Sequence, residues 1–207
     1  MPNKSFLLIP VVVMLIAAHS FAQAEPAVPA PVTSLPSGNI MVRRDAALPR
    51  GEIITRVYTL EAMDEPLVET EAGSFSSLFS TPLPEPAHEH LIPLRRMFWG
   101  ADFSDPDAVG TRIERIEVIT PNERDVIGAV RRIATAPAGS VFFVFADRDV
   151  EITGTHEGNN AVGHFNVYLK HGWNQMVFSS GDDPDNGSVQ RFATAVEHAI
   201  WFFQPSD

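Results

Sequence analysis

Hydrophobic and polar positions alternate most clearly in the C-terminal third of the chain. Residues 141–145 read Val-Phe-Phe-Val-Phe, which is apolar on both faces and predicts a central strand. Val150 and Ile152 then alternate with polar residues, and residues 165–169 and 173–179 show the same period of two. Further strands are predicted over 189–196 and 200–203. Many short strands separated by turns favour a mainly β fold, an antiparallel β-sandwich with at most one short helix.

Two strands of this region are separated by His171 and Gly172, which have the size of a two-residue hairpin turn. Glycine supplies the positive φ that such a turn requires. The turn fixes a register with three facing pairs, Lys170–Trp173, Val167–Met176 and Phe165–Phe178. The apolar members of these pairs then lie on one face, which we expect to be the core side.

The middle of the chain is predicted to contain strands over 51–61, 94–103 and 112–120. Thr120-Pro121-Asn122-Glu123 has the form of a capping box with proline at the first helical position. Apolar residues follow at helical spacing, which predicts a short helix over about 121–134. The competing interpretation is a strand from Val126 to Thr135 with a bulge at Gly128. The local pattern favours the helix.

Proline marks the less regular segments. Residues 25–38 contain four prolines among small residues and are expected to form a linker or loose leader before a single β-rich domain over 39–207. A second Pro-rich stretch is interpreted as a long loop near 64–93. It is either a functional cover or a poorly ordered excursion, and the second is favoured.

The N-terminus has the pattern of a secretory signal. Lys4 precedes an apolar run from Phe6 to Ala18, and Ala22-Gln23-Ala24 supplies small residues where a signal peptidase cleaves. The run is shorter than the about 20 residues that span a bilayer. We therefore expect residues 1–24 to be removed and the protein to be exported, periplasmic or secreted from a bacterium, with no transmembrane span in the mature chain.

Charge and cysteine content exclude several classes of function. The 26 acidic and 15 basic residues give a net charge of -11, which argues against a nucleic-acid partner because phosphate contacts need a basic face. The chain contains no cysteine, so disulfide scaffolds, cysteine zinc sites, thiol catalysis and a lipobox anchor are excluded. Gly-x-Ser-x-Gly, Ser-x-x-Lys and Gly-rich phosphate-loop motifs are also missing from the sequence.

The sequence His88-Glu89-His90 is the most ligand-like cluster. In an extended conformation both imidazoles would lie on one face and could share a zinc ion, with a third ligand from His156, His164 or His171. The surrounding prolines favour a solvated loop instead.

Three acidic clusters, over 102–107, 147–151 and 182–187, offer the oxygen ligands that calcium prefers. Asp182, Asp183 and Asp185 are the metal candidates of this group, although Asx turns explain the same residues without a metal.

Trp99, Trp173 and Trp201 could line a carbohydrate-binding face. Tryptophan in a β fold is more often a core or edge anchor whose N–H is satisfied, and that interpretation is favoured for all three.

The C-terminal pattern resembles a group of small exported bacterial proteins of unknown function. The shared elements are the aromatic strand at 143–145, the Asp-rich segment ending in Thr-Gly at 147–154, Leu-Lys-His-Gly-Trp-Asn at 169–174 and the Trp-Phe pair at 201–202. The resemblance covers about residues 140–203 and implies export and a β-sandwich. The group has no assigned activity, so the resemblance implies nothing about chemistry.

We therefore expect an exported, non-enzymatic module that binds an unknown protein or small-molecule ligand or serves the cell envelope. One alternative is an extracytoplasmic metal-dependent hydrolase using His88 and His90. The other is a calcium-stabilised adhesion module.

Overall fold

The computed structural model describes residues 29–42, 47–70, 73–135, 138–158, 161–183, 187–194 and 198–206. The chain is mainly β, with 58% in strands, 8% helical and no helix of seven or more residues among the parts described. The prediction of a mainly β fold is therefore confirmed. The expected signal segment, residues 1–24, lies outside the described residues.

The strands β1 to β13 lie, in chain order, over Ile40–Val42, Ile54–Thr59, Val68–Glu69, Ile92–Pro93, Asp102–Phe103, Val109–Ile119, Val126–Thr135, Ala138–Ala146, Val150–Glu157, Ala161–Leu169, Gly172–Asp183, Gly187–Ala193 and Ala199–Pro205. One short α-helix, α1, covers Leu94–Met97, and two 3-10 helices cover Phe75–Ser80 and His88–His90.

The strands form one mixed sheet in the order β1-β13-β7-β6-β8-β11-β12-β10-β9-β5, while β2 and β4 bond to β6 and β3 bonds to β2. Most neighbours are antiparallel, but β1 runs parallel to β13 and β10 runs parallel to β12. The predicted purely antiparallel arrangement is not confirmed, because the sheet is mixed.

Strand β8 separates two hydrophobic cores. Phe143 and Phe145 point into a first core that includes Trp201, whereas Val144 and Ala146 point into a second core that includes Ile152. Each of these side chains is buried. The apolar run at 141–145 is therefore a strand with both faces covered, as the sequence predicts.

The predicted hairpin between β10 and β11 is wrong. The two strands do not pair, because β12 lies between them and bonds to both. Phe192 of β12 faces Phe165 of β10 on one side and Phe178 of β11 on the other. This insertion gives β12 backbone partners on both edges and places the Phe192 ring between the Phe165 and Phe178 rings. Gly172 has a positive φ of 107°, so the glycine requirement at the corner was identified correctly.

The predicted helix over 121–134 is also wrong, and the competing strand is correct. Strand β7 pairs with β6 on one edge and with β13 on the other, so tertiary pairing overrides the local helical pattern. Val118 faces Gly128 and Ile119 faces Val126, which leaves Ile127 as the extra residue of a bulge. The Thr120 hydroxyl accepts from the amide of Asp125 at 3.2 Å, which closes the turn instead of capping a helix.

The strand predicted over 94–103 is replaced by α1 and the short β5. The Leu94 side chain is buried in the second core, and its amide donates to the Ala108 carbonyl at 3.0 Å. The Phe98 amide then donates to the Leu94 carbonyl at 3.0 Å and completes the turn. This turn places Met97 and Trp99 beside the sheet, which decides where the candidate site lies.

Both Pro-rich segments pack on the first core. Leu35 from the expected leader and Leu78 and Leu83 from the expected loop are buried there. The Pro36 carbonyl accepts hydrogen bonds from Trp201 Nε1 at 2.9 Å and from Arg132 at 3.2 Å. The described parts of these segments are therefore components of the fold and not a loose leader or a poorly ordered excursion.

Candidate ligand-binding site

A row of four phenylalanines crosses four neighbouring strands, β10, β12, β11 and β8, on the side of the second core. Phe165 and Phe192 are stacked, with ring centroids 4.9 Å apart and planes 10° from parallel. Phe178 continues the row at 5.0 Å from Phe192, and Phe142 lies 6.4 Å beyond it. Phe142, Phe178 and Phe192 are only partly buried. Part of each ring in the row therefore stays accessible beside the core packing.

Two cavities lie along this row, with volumes of about 240 Å³ and about 350 Å³. The first is lined by Met97, Phe98, Arg112, Phe142, Val144, Met176, Phe178 and Phe192. The second is lined by Met97, Trp99, His156, Gly158, Ala161, Gly163, Phe165, Gln190 and Phe192. Met97 and Phe192 belong to both linings, so the cavities adjoin. We call the two together the aromatic trough.

The composition of the aromatic trough fits a ligand site. Most of its wall is aromatic or aliphatic, with a few polar groups at its ends, as in small-molecule sites of about 300–1,000 Å³. Helix α1 forms one wall through Met97 and Phe98, and Phe98 contacts Phe192 edge to face at 6.2 Å. Because residues 94–103 were predicted to form a strand, the sequence did not indicate this wall.

Trp99 marks one end of the aromatic trough and is 71% exposed. Its ring meets that of His156 edge to face at 4.2 Å. Gly100 follows with a φ of +81°, and a Cβ there would collide with the His156 ring. Position 100 therefore needs glycine both for its conformation and for its space, and this arrangement holds Trp99 against His156.

The other two tryptophans are structural, as the sequence analysis favoured. Trp173 and Trp201 are buried, and their Nε1 groups donate to the carbonyls of Pro84 and Pro36 at 2.8 Å and 2.9 Å. Trp99 alone among the three is open to a ligand, so the carbohydrate-platform interpretation fails for Trp173 and Trp201.

Arg112 marks the opposite end of the aromatic trough. Its guanidinium carbon lies 5.8 Å from the centre of the Phe142 ring, and its Nε donates to Glu114 at 2.9 Å. The terminal guanidinium nitrogens have no hydrogen-bond partner within the described part of the chain. Arg131 lines two neighbouring depressions with Phe142 and Phe178, and no carboxylate of the described residues pairs with it.

Among the described residues, the structure does not bring a third ligand to the histidine pair that was considered as a zinc site. His88 and His90 belong to a 3-10 helix and not to an extended segment, so the predicted shared face is absent. In the ranges that the structure describes, no three His, Cys, Asp or Glu side chains are placed to hold a metal ion. His164 is hydrogen-bonded to Thr155 at 3.1 Å, and His156 packs on Trp99.

The calcium candidates are separated from the histidines. Asp182 is exposed near the far end of β11, about 30 Å along the strand from Trp173, whose indole binds the segment preceding His88. Asp183 faces Gly187 in the β11–β12 ladder. The Asp183 side chain and the whole of Asp185 lie outside what the structure describes. The aspartates and the histidine pair are therefore separate candidates in the structure, as they are in the sequence.

Basic side chains pair with three carboxylates of the other two acidic clusters. Arg148 contacts Asp105 and Asp147 at 3.1 Å and 2.7 Å, and the Asp107 amide together with Arg148 lowers the pKa of Asp105. Lys170 contacts Asp149 at 2.8 Å, and this bond with the His171 amide lowers the pKa of Asp149. These carboxylates are held by protein donors and need no cation.

Within the described residues, no helix is long and apolar enough to cross a membrane. Comparison with known proteins finds no matching family model, no similar curated protein and no similar solved structure.

Proposed function

We propose that this chain is an exported, non-enzymatic binding protein that holds an apolar ligand in the aromatic trough. The observation that carries the proposal is the partly buried row of Phe142, Phe178 and Phe192, which lines a cavity of about 240 Å³. Burying one such side chain contributes about 1.5–3 kcal/mol. The accessible part of each ring leaves a fraction of that free energy to be gained when a ligand covers it.

The chemistry of the trough supports binding over catalysis. Its two linings contain one guanidinium, one imidazole and one side-chain amide, and no hydroxyl or carboxylate. Nucleophilic catalysis needs a nucleophile within hydrogen-bond reach of a base, and acid–base hydrolysis commonly uses carboxylates. The proposed ligand is a small molecule, and the proposed location, periplasmic or secreted, rests on the signal pattern of residues 1–24.

The β-sandwich remains part of the proposal. The two cores on opposite faces of β8 support a layered arrangement. Strands β2 and β6 contribute side chains to the first core, and β9 and β10 contribute side chains to the second. The aromatic trough would then lie on the outer rim of the second core, where α1 leaves part of the sheet face uncovered.

The test is a titration of residues 25–207 with N-phenyl-1-naphthylamine, a neutral probe that fluoresces in apolar sites. We expect one saturable site per chain, weakened at least about tenfold by Phe178→Ser or Phe142→Ser. Phe202→Ser is the matched control, because Phe202 is also only partly buried but lines neither cavity. Equal losses in all three variants, or no saturable site, would refute the proposal.

A further inference from the structure

Among the described residues, Arg112 is the one charged side chain in the two linings of the aromatic trough. Arg112 lines the first cavity and His156 the second, and neither lining contains an aspartate or a glutamate. The chain as a whole has 26 acidic and 15 basic residues, so an acid-free lining goes against its composition. The trough therefore combines an apolar body with a cationic end.

Arg112 is available to an anion. Only its Nε is engaged, by Glu114, and both side chains are about one-third exposed, at 35% and 34%. An arginine has five N–H donors arranged to bind a carboxylate or phosphate through two parallel bonds. The remaining donors can hold an anionic group at the mouth of the first cavity while Glu114 keeps its bond to Nε.

Arg131 extends the cationic end of the trough. It shares one depression with Phe142 and another with Phe178, and its guanidinium carbon lies 5.2 Å from the Phe202 ring. No carboxylate in the described ranges pairs with it. Glu114 also lines the depression that Arg131 shares with Phe142. An anion bound to Arg112 would therefore have Arg131 as a second positive charge and Glu114 as a negative charge nearby.

From this charge complementarity we propose that the ligand of the aromatic trough is a single-chain carboxylate amphiphile, that is, a fatty acid. Its chain lies along Phe142, Phe178 and Phe192, and its carboxylate binds Arg112. The inference rests on the proposed function and adds the chemical class of the ligand. A chain with one charged end matches a trough whose cavities adjoin along an apolar row and whose arginines lie at one end.

Three probes of equal chain length separate charge from apolar binding. Decanoate, decanol and decyltrimethylammonium are titrated into residues 25–207 at pH 8 by isothermal calorimetry, with displacement of N-phenyl-1-naphthylamine as a second readout. Decanoate is fully ionised there because carboxyl groups have a pKa near 4. We expect decanoate to bind at least about tenfold more tightly than decanol, and the cation to bind most weakly.

The variants locate the effect at Arg112. Arg112→Gln is expected to weaken decanoate at least about tenfold and to leave decanol unchanged, whereas Glu114→Gln is expected to strengthen decanoate because it removes the competing carboxylate. Arg124→Gln is the matched control, since Arg124 is paired with Glu69 and lines neither cavity. Arg112→Lys, which keeps the charge, serves as the second variant if Arg112→Gln lowers the melting temperature.

The outcomes separate this inference from the proposed function. Equal affinities for decanoate and decanol in wild type and in Arg112→Gln would overturn the carboxylate assignment and leave the apolar trough standing. A failure of every probe to displace bound N-phenyl-1-naphthylamine would overturn the fatty-acid assignment alone, whereas the lack of a saturable site for N-phenyl-1-naphthylamine would overturn both.

Discussion

The side chain of Asn174 forms with Lys170 the pair of hydrogen bonds that one strand normally forms with another. Its Oδ1 accepts from the Lys170 amide at 2.9 Å, and its Nδ2 donates to the Lys170 carbonyl at 2.8 Å. The same Nδ2 lies 2.8 Å from the Gly172 carbonyl. β10 and β11 separate at this corner, so the amide satisfies backbone groups that lack a strand partner.

Replacing Asn174 by alanine is therefore expected to destabilise the fold by about 1–3 kcal/mol, because buried backbone groups of Lys170 lose their partners. Urea denaturation measures this change. Asn166→Ala is the control, since Asn166 is exposed on the preceding strand, β10, and it should leave the unfolding midpoint almost unchanged. Similar effects of the two substitutions would show that the corner does not depend on the amide.

The contact of Gly100 with His156 predicts a difference between two glycines of similar conformation. Gly51 has a φ of +97° and nothing within 4 Å of its Cβ position, so Gly51→Ala is expected to cost only the left-handed penalty, about 1–2 kcal/mol. Gly100→Ala adds a collision with the His156 ring and about 1–3 kcal/mol of overpacking. Thermal unfolding compares the two, and a change in Trp99 fluorescence is expected for Gly100→Ala only.

The buried Leu35 predicts that the Pro-rich leader stabilises the domain. Leu35→Ala removes a side chain that is fully buried in the first core and is expected to cost about 2–5 kcal/mol. Ser37→Ala, two residues further and exposed, is the matched control and should have little effect. A leader that served only as a linker would tolerate both substitutions equally.

The ion pairs of Glu69 predict a dependence of stability on acid pH. Hydrogen bonds from Arg124 and then Arg56 lower the pKa of Glu69, so its folded pKa is below the unfolded value of about 4. A carboxyl group with a lowered pKa contributes stability above about pH 4, which is lost as the pH falls through the folded pKa. Urea midpoints measured from pH 6 to pH 2 should show less acid loss for Glu69→Gln than for wild type. Glu157→Gln should leave the acid loss as in wild type, because the exposed Glu157 side chain has no ion pair among the described residues.

Strands whose pattern repeats within a few residues could be predicted, and elements decided by distant partners could not. The run at 141–145 is apolar on both faces, and the structure gives it a core on each side. The period of two at 165–169 and 173–179 also placed Phe165, Val167 and Met176 on one core face. What failed was the pairing, because β12 enters between the two strands from later in the chain.

The same limit hid the candidate site. Phe165, Phe178 and Phe192 are far apart in sequence, and only the β10-β12-β11 order brings their rings together. Helix α1, which forms one wall of the site, lies in a segment whose apolar residues predicted a strand. Sequence spacing drew attention to His88 and His90 instead, but a metal site needs side chains from several elements, and spacing in one element does not supply them.

The indole N–H signals of the three tryptophans test the central claim most directly. Trp173 and Trp201 are buried with their N–H groups bonded to Pro84 and Pro36, so their signals are internal references, while Trp99 lines the aromatic trough. In a ¹H–¹⁵N spectrum of residues 25–207, N-phenyl-1-naphthylamine is expected to shift the Trp99 signal through its ring currents and leave the other two in place. An unmoved Trp99 signal at saturating probe, or equal shifts of all three, would contradict a ligand site in the trough.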